Sequence, residues 1–279
     1  MQTLQKSVII FISERIGRKG MRSDNSTINY SYLLGARDYE VSIYRHNERL
    51  FPFVSLTHVS EGEFYCEYNG ETFVACKGET MYIPESVLHN VYTLSPAIAS
   101  WGHVSATSFK YDLMKNARTP VVIRGESSYT IKGQLDVLAE IKYDTVYALY
   151  RRDSCISGIF CELFKYTEAC KMNPRPDWCV RLQDYITENV KDKFNLDELA
   201  KMMYISKSSL CHKFKETVGT SLVDYILGEK IKASFYLLTD GLTNRQIAER
   251  LNFSDEYYFS KLFKKFTGIP PKEYKSIYL

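Results

Sequence analysis

Residues 246–268 read QIAERLNFSDEYYFSKLFKKFTG, and residues 199–219 carry the same pattern as LAKMMYISKSSLCHKFKETVG. Ile247-Ala248, Phe253-Ser254, Phe259, Phe263-Lys264, Gly268 and then Tyr274 answer Leu199-Ala200, Ile205-Ser206, Leu210, Phe214-Lys215, Gly219 and Tyr225. The offset is 48 residues as far as the serines and 49 from the next apolar position, so one residue is inserted between Ser254 and Phe259. In each copy the apolar residues four apart share one helix face. Ser206 and Ser254 stand where an N-cap hydroxyl would take up free helix N–H groups. A short helix, a tight turn and a capped second helix make a helix-turn-helix, whose second helix can enter the DNA major groove. Two units in register are much stronger evidence than one.

At these residues the chain resembles the AraC/XylS family of bacterial transcription regulators. Gln246-Ile247-Ala248, Asn252-Phe253-Ser254-Asp255, Tyr258-Phe259-Ser260, Phe263-Lys264-Lys265, Thr267-Gly268 and Pro270-Pro271 to Tyr274 follow that family's signature. Leu196 to Tyr225 follows its looser first copy, and the match spans about residues 178–279. Asn252 replaces the family's usual glycine and tolerates a left-handed turn. The equivalent residue of the first copy is Tyr204, a poorer turn former.

Upstream the chain alternates in short β-type runs: Val41–Tyr44, Phe53–Val59, Glu63–Tyr68, Thr72–Ala75, Thr80–Ile83, Asn90–Thr93 and Ala99–Ser105. Asn69-Gly70 is the best hairpin signal in the chain. Short strands with regular turns predict a small antiparallel barrel or sandwich. Helical stretches follow at about 132–150 and 153–172, the second carrying Ile156, Ile159, Phe160, Leu163, Phe164 and Thr167 as an apolar stripe. Asn173-Pro174-Arg175-Pro176-Asp177 reads as a stiff linker, with Asp177 capping a helix over 178–190 whose apolar side is Leu182, Tyr185 and Ile186. Residues 1–25 show little pattern beyond Val8–Ile12.

The expected fold is α+β. A barrel and helical pair occupy 1–172, a linker 173–177, and an all-α double helix-turn-helix 178–279. That order is similar to the family's ligand-responsive members, in which a cupin-like barrel comes first. Gly62, Gly78, Pro84 and His89 are spaced like a cupin's second motif, with Ser86 where glycine is usual.

Composition bounds the function further. The 279 residues suffice for two domains, and 45% hydrophobic with 25% charged content is ordinary for globular protein. Net charge is only +3, but residues 190–279 hold 15 Lys and Arg against 11 Asp and Glu, as suits a DNA-binding tail on a near-neutral domain. No apolar run is long enough to span a membrane, and Val8–Ile12 is short for a secretory core, so a cytoplasmic protein is expected. Seven cysteines without CxxC or metal-ligand spacing read as free thiols.

With Leu210 and Phe214 facing the core, the opposite face of that helix carries Ser208, Cys211, His212 and Lys215. The second unit exposes Glu256, Tyr257, Ser260, Lys261 and Lys264. The resemblance places Ser208, Cys211, His212, Glu256, Tyr257, Ser260 and Lys261 at base edges. Lysine or neutral histidine can address guanine, and glutamate can accept from cytosine N4. Lys207, Lys213, Lys215, Lys264 and Lys265 suit phosphates, which position without reading sequence.

The five histidines form no HxH set for a cupin metal, and no GxSxG, Walker loop or GxGxxG occurs. The reading is of a regulator that is not an enzyme and needs no cofactor. Tyr65, Tyr82, His89 and Trp101 are candidates for an effector pocket suited to a sugar or similar polar molecule, although strand aromatics are usually just core. The resemblance implies double-stranded promoter DNA, RNA polymerase and a second copy of the chain as partners. The dimer contact would come from 132–172, and the regulator would act chiefly as an activator. Control by a partner protein on the barrel, or a cupin-type sugar-modifying enzyme fused to a DNA-binding tail, are the alternatives.

Overall fold

The computed structural model describes residues 28–107, 113, 117–142, 145–166 and 175–278. Among the described residues nine strands come first: β1 (Asn29–Val41), β2 (Arg45–Arg49), β3 (Val54–Glu61), β4 (Glu63–Tyr68), β5 (Glu71–Cys76), β6 (Thr80–Ile83), β7 (His89–Tyr92), β8 (Ala97–Thr107) and β9 (Val121–Ile123). They form an antiparallel five-stranded sheet, β1-β8-β3-β6-β9, and a four-stranded one, β2-β7-β4-β5. The hairpin signal is met. Tyr68 pairs with Glu71 across Asn69 and Gly70, whose φ values of 50° and 82° suit a two-residue turn with both central residues left-handed.

The two sheets enclose Val59, Phe64, Cys66, Ala75, Met81, Ile83 and Val91. On the other side of the five-stranded sheet lie α1 (Gly125–Glu140) and α2 (Val146–Tyr166). There Val54, Leu56, Tyr82 and Val104 meet Ile131, Leu135, Ile156 and Leu163. Burying each such side chain contributes roughly 1.5–3 kcal/mol.

Several boundaries differ from the sequence expectation. The run Val41–Tyr44 is mostly the gap between β1 and β2, and Ile43 is exposed. Strands β1 and β2 were missed because both are irregular in register and rich in charge. The first helix of the pair ends at Glu140 and the second begins at Val146, rather than parting near 151, because Ile141 is extended and the Thr145 hydroxyl accepts from the Ala148 N–H at 3.2 Å. Ile156, Ile159, Phe160 and Leu163 are buried as the stripe requires. Val8–Ile12, Thr167, Cys170, Asn173 and Pro174 lie outside the described residues.

The remaining helices are α3 (Asp177–Glu188), α4 (Leu196–Met202), α5 (Lys207–Val218), α6 (Leu222–Thr239), α7 (Asn244–Arg250), α8 (Glu256–Thr267) and α9 (Pro271–Tyr278). Asp177 is the first residue of α3 rather than its cap. Pro176 holds the cap position, and the Cys179 and Val180 amides return to its carbonyl. Asp177 still favours the positive end of the helix dipole. Leu182 and Ile186 are buried, while Tyr185 is 39% exposed.

Helices α3, α4, α5 and the start of α6 share one core, including Leu182, Leu199, Leu210, Phe214 and Ile226. The rest of α6 and α7–α9 share another, including Phe235, Ile247, Phe259, Phe263 and Tyr274. One side chain bridges them. Buried Lys230 of α6 donates from Nζ to Asp192 O at 2.8 Å in the first unit and to Leu251 O at 2.5 Å in the second. Burial pushes its ammonium down to about 8. Lys230→Met strands two carbonyls and should cost about 2–4 kcal/mol of stability by chemical denaturation. A loss no larger than that of the exposed control Lys201→Met would contradict the bridging role.

Candidate nucleic-acid interface

Both helix-turn-helix units are built by the same local chemistry. Asn195 caps α4 by accepting from the Asp197 N–H at 2.8 Å, and Ser206 caps α5 by accepting from the Ser209 N–H at 3.2 Å. In the second unit Thr243 and Gln246 form a reciprocal capping box on α7. The cap of α8 is Asp255, not Ser254. Its carboxylate accepts from the Tyr258 N–H at 2.8 Å, and Ser254 only donates to it. The inserted residue is thereby explained, since the cap and the first core residue are Ser206 and Leu210 in one unit and Asp255 and Phe259 in the other. Tyr204 and Asn252 occupy the same turn position with φ of 57° and 54°. The first unit thus adopts the left-handed turn without glycine, holding a tyrosine 94% exposed.

The faces predicted to meet DNA are outward. Ser208, His212, Lys215, Tyr257, Lys261 and Lys264 are exposed, and Cys211, Glu256 and Ser260 are half-buried. The base-edge candidates lie in the first two turns of α5 and α8, the end that enters a groove. Some already have partners. His212 lies 3.3 Å from Glu216, Ser260 accepts from Asn244 at 3.2 Å, and Lys207 pairs with Asp197 at 3.1 Å. Lys265 turns away to Asp224 at 3.3 Å. Such exposed pairs are weak and can be exchanged for phosphates.

The four effector candidates do not converge. Tyr82 is fully buried toward α1 and α2, its hydroxyl donating to Ala117 O at 2.6 Å. Tyr65 alternates with inward-facing Phe64 and Cys66, and its ring stacks on Tyr92 at 5.0 Å on the outer face. Trp101 and His89 face the space between the sheets. Gly102 abuts Leu135 of α1, so Trp101 and His103 on either side point inward. His89 is buried, and its Nδ1 lies 2.8 Å from Val87 O.

The seam between the sheets and the second helical unit was not foreseen. Leu33, Phe51 and Phe53 belong to the same core as Phe235, Phe263 and Tyr274, and Lys232 of α6 reaches Glu85 at 3.6 Å. His46, Arg49, Phe51 and His103 face Thr267, Ile269 and Tyr274 across a void of about 10 Å³. That is room for about one water, not for a sugar. The doublet Phe51-Pro52-Phe53 was the available sequence signal.

A helix-turn-helix domain model matches residues 199–277. The MmsAB operon regulatory protein of Pseudomonas aeruginosa is 24% identical over 86% of this chain and 79% of its own. The arabinose operon regulatory protein of Salmonella typhimurium is 23% identical over 77% and 80%. The chain is thus similar over most of its length to bacterial operon regulators, and it carries a helix-turn-helix domain of the AraC type at residues 199–277. Its fold is similar to that of ToxT from Vibrio cholerae: the apo structure of a ToxT variant superposes with a TM-score of 0.64 at 15% identity, covering 90% of this chain and 97% of that one. Another ToxT structure, holding an unsaturated fatty acid, gives 0.60 over 91% and 97%.

The seam is rich in histidine. Burial first, and then the Arg49 charge, push His46 down to about 4 and His89 to about 3. His103 is pushed well below the ordinary range by burial, Arg49 and His89. The folded state therefore favours the neutral rings, and the unfolded chain takes up protons first, near its ordinary value of about 6.5. This stability is fully present above about pH 6.5. It is lost as pH falls toward the depressed values, by about 1.4 kcal/mol per pH unit for each histidine. A thermal denaturation series from pH 7 to pH 5 should show a steep fall that His46→Asn/His103→Asn flattens. A profile equally steep in both proteins would contradict this account.

Proposed function

We propose that the chain regulates transcription by laying α5 and α8 in successive major-groove segments of double-stranded promoter DNA, under control of a small molecule bound by the N-terminal sheets. One observation carries the DNA reading. Two capped second helices leave their N-terminal turns uncovered, while their opposite faces fill two separate cores. Ser208, Cys211, His212, Glu256, Tyr257, Ser260 and Lys261 would read base edges, and Lys215 and Lys264 would hold phosphates.

The effector assignment rests on the polar half of the inter-sheet space. His89 offers an unpaired Nε2 there, with Trp101 and His103 on the facing strand. Those groups suit a polar molecule such as a sugar, or the carboxylate of a ligand like the fatty acid seen with ToxT, and the void of about 10 Å³ beside His103 must widen to admit either. Val146, Tyr147 and Tyr150 are 70%, 74% and 74% exposed on α2, an apolar surface suited to pairing two chains. RNA polymerase is the natural further partner of such a regulator, and the cytoplasm its place. Among the described residues no helix is long and apolar enough to cross a membrane. The regulatory relatives give no reason to assign an enzyme activity.

Phosphate contacts make binding fall steeply with salt. Lys215→Ala and Lys264→Ala should each flatten the slope of log affinity against log salt by about one unit, alike on all sequences. Affinity that hardly changes between low and moderate salt would contradict the docking. Lys261→Ala and His212→Ala should cost about 1–3 kcal/mol on a selected duplex and less on random DNA. Equal losses on both, by anisotropy titration, would demote these residues to backbone contacts.

A further inference from the structure

The two recognition helices end in the same way. Each stops on a left-handed glycine, Gly219 at φ 89° and Gly268 at φ 87°. An arginine from the N-terminal half lies beside each glycine. A Cβ on Gly219 would lie 2.4 Å from Arg118 Nη1, and one on Gly268 would lie 3.0 Å from Arg49 Cγ and 3.2 Å from His46 Cβ. Beside Gly268, the Leu50 N–H donates at 3.3 Å to Lys265 O, one of the carbonyls a helix end leaves unpaired. Both arginines also lie where the helix dipole is negative.

A left-handed cap explains the glycines but not the arginines. Gly241, which follows α6 with φ 82°, has nothing within 4 Å of its Cβ position. The arginine contacts are thus found at the caps of the two recognition helices and not at that of α6. Between them the helical units keep separate cores, joined along α6 and by Lys230. The caps lie about 18 Å along α5 and α8 from the base-reading ends, so the contacts leave those ends uncovered.

We infer that Arg49 and Arg118 are positioning residues through which the N-terminal sheets set the separation and angle of α5 and α8, and so the spacing between the two DNA segments that one chain reads. The inference rests on the reading of both helices as groove-binding. A change in the sheets would then reach both helices at once, through contacts that touch no DNA.

The test uses the full chain. Wild type selects a duplex from a randomised library, and that duplex is remade with its central spacer one base pair longer and one shorter. Wild type should lose about tenfold in affinity on either altered spacer. Arg49→Ala/Arg118→Ala should still bind the selected duplex, with its discrimination between spacers reduced about fivefold or more. Lys261→Ala should instead weaken all three duplexes together and keep the discrimination. If the double variant melts early, Arg118→Ala alone reads the same quantity, since Arg118 sits half-buried in a loop rather than in a strand. A folded arginine variant with wild-type discrimination, or a wild type indifferent to spacing, overturns the inference alone. A wild type that selects no duplex overturns the DNA-binding reading and the inference with it.

Discussion

Phe51 and Phe53 of the N-terminal half meet Phe235 of α6 at ring separations of 5.9 and 5.8 Å, and Phe235 in turn meets Phe263 and Tyr274 at 5.1 Å. The core of the second helix-turn-helix is therefore completed from outside it. Removing those two phenylalanines would expose a large aromatic surface on α6, α8 and α9, at a cost of several kcal/mol for each ring. The placement of α8, the contact of Arg49 with Gly268 and the enclosure of His46 and His103 all follow from this packing. The sequence reads as a linker at 173–177, yet the packing joins the N-terminal sheets to the second helical unit.

The same seam explains why charge plays a small part in the fold and a larger part in function. Net charge is only +3, and exposed pairs such as Lys207 with Asp197 contribute little. The cations that matter structurally are enclosed. Lys230 spans the two helical units. Lys232 lies between Glu229 at 3.1 Å and Glu85 at 3.6 Å, and those carboxylates outweigh its burial and hold its ammonium above the ordinary range. Lys215, Lys261 and Lys264 are left in solvent on the faces of α5 and α8.

The helix-turn-helix pair was legible because its determinants are local: apolar residues four apart, a cap, a left-handed turn and a terminal glycine. The one local error, Ser254 for Asp255, arose where two good capping residues adjoin and only the packing of Phe259 chooses between them. The hairpin at Asn69-Gly70 and strands β4 and β6 were equally local. Strand β1 was hidden by Arg37-Asp38-Tyr39-Glu40, whose charge is tolerated on an edge strand. Two of the four effector candidates, Tyr65 and Tyr82, were misplaced for another reason. A tyrosine in a strand does not reveal which face it takes, so Tyr65 went outward and Tyr82 under the helices. No sequence pattern links Arg49, Phe51 or Arg118 to residues 219–274, because that relation exists only after folding.

The central claim is that one chain reads DNA with two helices acting as a pair. Chemical interference footprinting of the full chain on its selected duplex tests it most directly, scoring the guanines whose methylation blocks binding. The account predicts two major-groove segments per bound chain where methylation interferes, on one face of the duplex and about one helical turn (roughly 10 base pairs) apart. A single segment per chain would contradict it.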